Sequence, residues 1–136
     1  MRKIQELMLA LYGNAKNLHY SRSGKNYYGI HKLADKIIKD VDPLGTIDHI
    51  NEYNLGVGKE PVDFQELFDE RLYVEADFLK SLKAIQFILK TLSNHIEEME
   101  FDTRAIESYL TGVQDNVIFA LGFVNRTLQN NCKDDV

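Results

Sequence analysis

The sequence predicts an all-α protein, a bundle of four main helices with a short extra helix between the second and the third. Apolar residues recur every three or four positions through most of the 136 residues, which is the spacing of amphipathic helices. No segment shows the strict alternation of apolar and polar residues that a half-buried strand would show. A chain of this length forms one domain and can bury a sizeable core.

The first half of the chain contains three predicted helices separated by turn residues. Asp42 and Pro43 divide the second helix from the third, because proline is unfavourable inside a helix but favourable at its first position after an aspartate cap. Pro43 therefore begins the short helix. The predicted bounds are Ile4 to about Tyr20, about Asn26 to Asp40, and Pro43 to about Asn54, with a loop from Leu55 to Pro61.

The second half contains the two longest periodic segments. One helix is predicted from about Glu66 or Asp69 to Met99. Asp102 is the predicted N-cap of the last helix, which runs from Thr103 to about Leu128. Residues 130–136 are polar, and we expect them to fray.

Composition narrows the classes of function. The formal net charge of −5 disfavours a nucleic-acid binder that works by neutralising phosphates. The single cysteine, Cys132, excludes a thiolate metal cage and an internal disulfide. The chain shows no signal-peptide pattern and no apolar run long enough to span a bilayer. We therefore expect a cytoplasmic protein whose metal chemistry, if any, uses imidazoles and carboxylates.

Two histidines and three carboxylates have the spacing of candidate metal ligands. His31 and Asp35 are four residues apart, so they lie on one helix face, and His19 joins them if the first two helices fold back on each other. Asp48 and Glu52 repeat the four-residue spacing. Imidazole and carboxylate together suit iron, and to a lesser extent zinc or manganese. Exposed surface pairs without a metal are the alternative, and the Glu-x-x-His motif of common di-iron bundles is absent.

These residues belong to a pattern that resembles the Dps family, the ferritin-like proteins of starved bacteria. The family pattern is Lys-x-x-His-Trp, then glycine, an aromatic residue and His-x-x-x-Asp, and later Asp-x-x-x-Glu with Leu-Gly. The matching residues here are Lys16, His19, Gly24, Tyr28, His31 and Asp35, then Asp48, Glu52, Leu55 and Gly56, while Tyr20 stands in place of the tryptophan. Asp102 and Thr103, at the start of the last helix, also resemble the family.

The resemblance implies a ferroxidase and iron-storage protein with a ferritin-like fold. Dps proteins form hollow dodecamers and bind Fe(II) at a dinuclear-type site across a two-fold subunit interface. His19, His31 and Asp35 would face Asp48 and Glu52 of a second copy, with Lys16 and Tyr20 near the site. Hydrogen peroxide or dioxygen would oxidise the iron, and Fe(III) would collect in the cavity, which would limit oxidative stress. DNA binding is not expected, because the chain has no lysine-rich tail.

One spacing differs from the family, and it leaves an alternative open. Asp35 and Asp48 are 13 positions apart, whereas the family has 11. On a continuous helix, 13 residues turn through about 220° and 11 through about 20°. We expect the break at Asp42 and Pro43 to absorb the two extra residues. If it does not, the chain is a non-catalytic ferritin-like oligomer or a partner-binding module.

Overall fold

A computed structural model describes residues 1–21 and 27–134, with side chains for 1–21 and 28–130. It confirms the all-α prediction, since the described residues form helices and no strands. The α-helices are α1 (Arg2–Tyr20), α2 (Tyr27–Val41), α3 (Pro43–Gly56), α4 (Phe78–Glu98) and α5 (Arg104–Asp134), and two 3₁₀ helices span Phe64–Leu67 and Glu70–Leu72.

The helices form a four-sided bundle in which α2 and α3 together make one side. Helix α1 packs against α2, α3 and α4, while α5 packs against α4 and α2. Gln5, near the start of α1, contacts α3, and His19, near its end, contacts α2. The α2–α3 side therefore runs antiparallel to α1. A long crossover then returns along α1 to the start of α4.

Apolar residues at helical spacing supply the core. On α1, Ile4, Leu7, Leu11 and Leu18 are fully buried. The facing side of α4 contributes residues with the same periodicity, among them Leu82, Ile85, Leu89 and Leu92. Burying a large aliphatic side chain contributes about 1.5–3 kcal/mol. Packing of these faces, rather than helix propensity, therefore holds the bundle together.

The predicted break between the second and third helices is present at Asp42. This residue has a left-handed backbone with φ of 53°, and its carboxylate accepts a hydrogen bond from the Gly45 N–H at 3.3 Å. Pro43 begins α3, as predicted. Helix α3 has 14 residues against 15 in α2, and it packs along α1. The predicted short helix is therefore half of one side of the bundle.

The predicted start of the long helix at Glu66 or Asp69 is wrong. Helix α4 begins at Phe78, where the Asp77 carboxylate accepts a hydrogen bond from the Lys80 N–H at 2.9 Å. The preceding crossover is held by Asn14 of α1, which donates to the carbonyl of Leu72 and accepts from the N–H of Val74. These bonds occupy backbone groups that a longer helix would have paired internally.

The last helix also differs from the prediction at both ends. Thr103, not Asp102, caps it, because its hydroxyl accepts from the Ile106 N–H at 3.4 Å. Asp102 pairs instead with the Lys59 ammonium at 2.5 Å. At the other end, α5 continues to Asp134, past the predicted end at Leu128. The predicted frayed tail therefore overlaps a helix, and residues 135–136 lie outside the described residues.

Candidate metal centre

Antiparallel packing of α1 and α2 brings three candidate ligands together. His19 lies in the last turn of α1, next to the fully buried Leu18. His31 and Asp35 lie one turn apart on α2, and the buried Ala34 between them packs into the core. The buried neighbours fix the rotation of each helix about its axis. As a result, all three polar side chains point to the same edge of the α1–α2 pair, and His31 and Asp35 share one face of α2 as their spacing predicted.

The ligand atoms of these residues lie within 4.8 Å of one another. Nδ1 of His19 is 2.7 Å from Oδ1 of Asp35, and Nε2 of His31 is 3.9 Å from Oδ2 of the same carboxylate. Asp35 therefore has one carboxylate oxygen near each histidine. The imidazole rings are close together, with centroids 3.7 Å apart and planes inclined by 38°.

Two ligand atoms that bind one ion at about 2.1 Å each are separated by at most about 4.2 Å. The two printed nitrogen–oxygen separations, 2.7 and 3.9 Å, lie within that limit, and no pair of ligand atoms in the group is more than 4.8 Å apart, so side-chain rotation can bring all three onto one ion. We conclude that the group can hold one divalent cation through two nitrogens and one oxygen. This donor set fits Fe(II), Zn(II) or Mn(II), and by itself it does not select among them.

A backbone contact fixes the proton on His31. Its Nδ1 lies 3.2 Å from the carbonyl oxygen of His19, and an oxygen acceptor requires that this nitrogen carry the hydrogen. In neutral His31 the lone pair therefore belongs to Nε2, the nitrogen that faces Asp35. In metal-binding histidines the other ring nitrogen commonly donates a hydrogen bond of this kind, which orients the ring and increases its basicity.

His19 presents a buried nitrogen with no hydrogen bond among the described residues. Its Nδ1 is excluded from solvent, and the nearby Asp35 oxygen lies outside hydrogen-bond geometry despite the short distance. Leaving a buried polar atom without a hydrogen bond costs about 1–3 kcal/mol. A cation between the imidazole and the carboxylate would remove that cost. This atom is the strongest local indication that the three side chains form a ligand set.

The group is open on one side. The exposed fraction of the side chain rises from 19% for His19 to 32% for His31 and 54% for Asp35. A cation held here would keep positions that water or another chain could fill. Open positions are typical of reactive metal sites, whereas structural sites are closed by protein ligands.

The other predicted site residues lie apart from this group. Asp48 and Glu52 are exposed on α3, and neither belongs to the cluster within one described chain. Lys16 is half-buried, with its ammonium 5.7 Å from the centre of the Tyr12 ring. Tyr20 is exposed and meets the His19 ring edge-on at 5.1 Å.

One member of the site, the backbone carbonyl of His19, could not be predicted from the sequence. No side-chain pattern could indicate it, because its contact with His31 arises only when α1 and α2 close on each other. The predicted Gly24 of the family pattern lies outside the described residues.

Comparison of this chain with protein-family models, curated proteins and solved structures finds no match. Within residues 1–21 and 27–134, no helix combines the length and the apolar character that crossing a bilayer requires.

Proposed function

We propose that this protein is a Dps-like ferroxidase with a ferritin-like fold, which oxidises Fe(II) and stores the Fe(III) product inside a homo-oligomer. The observation that carries the proposal is the cluster of His19, His31 and Asp35, with its open side and with a buried His19 nitrogen that makes no hydrogen bond among the described residues. Iron is the substrate in this proposal. The cytoplasm, where Fe(II) and peroxide meet, is the proposed location.

The topology supports the proposal. One long crossover, between α3 and α4, joins two antiparallel pairs, and ferritin-like folds are four-helix bundles with one such connection. The resemblance of the His19–Asp35 segment to the Dps pattern adds a second line of support, because the same residues form the cluster.

The residues suit the chemistry of iron oxidation. Two neutral imidazoles and one carboxylate bind Fe(II), and the anionic carboxylate favours the more highly charged Fe(III) product. Two Fe(II) ions each lose one electron to one hydrogen peroxide, whose O–O bond breaks. Two protons are taken up, and two waters form. With dioxygen as oxidant, two Fe(II) ions and two protons give one hydrogen peroxide.

Three ligands from one chain are few for a dinuclear-type site, so the proposal includes carboxylates from a second copy. Asp48 and Glu52 are exposed and one turn apart on α3, and hence free to face another chain. Exposed apolar residues support self-association, since such surface on a soluble protein commonly marks an interface. The largest on α5 are Ile118, Phe119 and Phe123.

The proposal is tested by loading the purified protein with Fe(II) without oxygen, adding hydrogen peroxide and following ferric absorbance. The double variant His31→Ala, Asp35→Ala should oxidise iron at least about tenfold more slowly, because two of three ligands are lost. His49→Ala, Asp40→Ala is the matched control, since both residues are exposed and outside the cluster. Equal rates in the wild type and the cluster variant would refute the ferroxidase proposal.

A complementation experiment tests the shared site. The double variant Asp48→Ala, Glu52→Ala should also be slow if these residues act on a second copy. Co-assembling it with the His31→Ala, Asp35→Ala variant should restore part of the rate, because a mixed pair contains one site with all ligands. Full activity of the Asp48→Ala, Glu52→Ala variant would show that a second copy contributes neither carboxylate.

The second candidate is a non-catalytic helical oligomer with the same scaffold. The separation of Asp48 and Glu52 from the cluster within one chain favours it. This candidate predicts metal binding or self-association without peroxide-dependent oxidation of Fe(II). Light scattering on the same samples measures the assembly, so loss of oxidation with an intact oligomer would select it.

A further inference from the structure

A groove between α4 and the crossover is lined by apolar and basic residues, although the chain as a whole is acidic. Its volume is about 360 Å³, within the range of small-molecule sites. Leu72, Val74, Ala84, Phe87 and Ile88 form its apolar surface. Its charged lining residues are all basic, although the chain carries a net charge of −5. None of its lining residues belongs to the metal cluster.

The walls of the groove are fixed in place. On one side, Asn14 and Asn17 of α1 bind the backbone of Leu72 and Val74 through three hydrogen bonds. On the other side, Ile88 is buried in the core and sets the rotation of α4. A groove whose walls are already held needs little ordering when a ligand binds, which favours affinity.

The charges around the groove select a ligand with one negative charge. The Arg71 guanidinium forms two hydrogen bonds with the Asp69 carboxylate, and the Lys80 ammonium pairs with Glu75. Lys83 is exposed and makes no hydrogen bond or ion pair with any described residue. One free ammonium complements a monoanion, whereas a phosphate ester or a nucleotide would require several unpaired cations.

The apolar surface of the groove indicates the chemistry of the uncharged part of the ligand. Phe87 is 61% exposed at the groove although its ring is large and apolar. From Lys83 to Ile88 helix α4 rises about 7.5 Å, so about the first six carbons of an extended alkyl chain can lie along the groove. We propose that this groove binds a linear aliphatic monocarboxylate, with the carboxylate at Lys83 and the alkyl chain on Phe87 and Ala84.

Isothermal titration of the full-length protein with decanoate, below its micellar concentration, tests the proposal. We expect a dissociation constant of about 1 mM or tighter for the wild type. Lys83→Gln should weaken binding about five- to tenfold, and Phe87→Ala should weaken it by a similar factor. The matched controls are Lys90→Gln, an exposed lysine of α4 outside the groove, and Phe64→Ala, an exposed phenylalanine of the first 3₁₀ helix. Both should leave binding unchanged.

The neutral analogue 1-decanol separates recognition of the charge from recognition of the alkyl chain. It should bind more weakly than decanoate to the wild type, and this difference should disappear in the Lys83→Gln variant. No measurable decanoate binding would overturn the proposal, as would equal losses in the Lys83→Gln and Lys90→Gln variants. Sedimentation of the same variants tests whether a second copy of this chain occupies the groove instead. If Phe87→Ala dissociates an oligomer and decanoate does not bind, the groove is an interface with a second copy and the proposal is wrong.

Discussion

Nδ1 of His19 lies 2.7 Å from Oδ1 of Asp35, and this contact links the end of α1 to the middle of α2. Two ligands bound to one ion at a right angle are separated by about 3.0 Å. The packing of the two helices thus places this pair within a few tenths of an ångström of the distance that a cation requires. A cation bound here would therefore spend little free energy on bringing the pair together.

Replacing the central carboxylate tests this arrangement without reference to iron oxidation. Asp35→Asn keeps the size of the side chain and removes its charge, so the affinity for Co(II), a spectroscopic substitute for Fe(II), should fall at least about tenfold. Anaerobic titration followed by visible absorbance measures this affinity. Asp40→Asn is the matched control, because Asp40 lies on the same helix and pairs with Lys36 instead. Equal affinities in the two variants would exclude Asp35 as a ligand.

The parts of the site that follow from helix geometry could be predicted from the sequence. The i to i+4 spacing was enough to place His31 and Asp35 on one face of α2. The position of His19 required one further assumption, that α1 and α2 pack as a hairpin, and the buried apolar stripes of both helices made it reasonable. Asp48 and Glu52 are different, because their neighbours in an oligomer depend on contacts between chains, which helical periodicity does not specify.

The wrong predicted start of α4 has a physical cause, competition for backbone hydrogen bonds. Leu72, Ala76 and Leu79 have helical spacing, and the sequence therefore predicted a helix through them. Asn14 is more than fifty residues away, and its side chain binds the backbone of Leu72 and Val74 in the folded chain. A local pattern cannot contain that information. The cap of α5 was missed for a related reason, since Asp102 is engaged by the distant Lys59.

The break at Asp42 depends on both its side chain and its backbone. Asp42→Ala removes the cap of α3 and places an alanine in a left-handed conformation, so the free energy of unfolding should fall by about 1–2 kcal/mol. Asp42→Asn should stay within about 0.5 kcal/mol of the wild type, because asparagine caps helices and tolerates this backbone. Urea denaturation followed by circular dichroism measures both values.

Asp63→Ala serves as the control for the variants of Asp42, since Asp63 is exposed and its side chain caps nothing. It should change the free energy of unfolding by less than about 0.5 kcal/mol. If Asp42→Ala behaves like this control, the cap and the left-handed residue contribute nothing to stability.

Gln5 joins α1 to α3 inside the core. Its side chain is fully buried, and its amide donates to the Ile47 carbonyl at 3.1 Å and to Asn51 Oδ1 at 3.0 Å. Gln5→Ala removes both bonds and leaves a cavity, so it should destabilise the protein by about 2–4 kcal/mol. Gln129→Ala, at an exposed position of α5, is the matched control and should be nearly neutral. Urea denaturation compares the two, and similar midpoints would contradict the structural role of Gln5.

The protonation of His95 makes the stability of the fold depend on pH. Burial lowers the pKa of its imidazole below the ordinary value of 6.5, and the N-terminal ammonium and Lys3 lower it further, while Glu98 raises it. The unfolded chain therefore binds more protons than the folded chain once the pH falls below 6.5. This contribution to stability is fully present above that pH and is lost as the pH falls through the lowered pKa.

Melting temperatures measured between pH 7.5 and pH 5.5 test the contribution of His95. The loss of melting temperature on acidification should be smaller in His95→Gln than in the wild type, because glutamine does not take up the proton. Lys3→Gln should also reduce the loss, since it removes a charge that lowers the pKa of His95. Glu98→Gln should enlarge it, because the charge that raises this pKa is gone. Identical pH profiles in all four proteins would show that His95 takes up its proton equally in the folded and the unfolded chain.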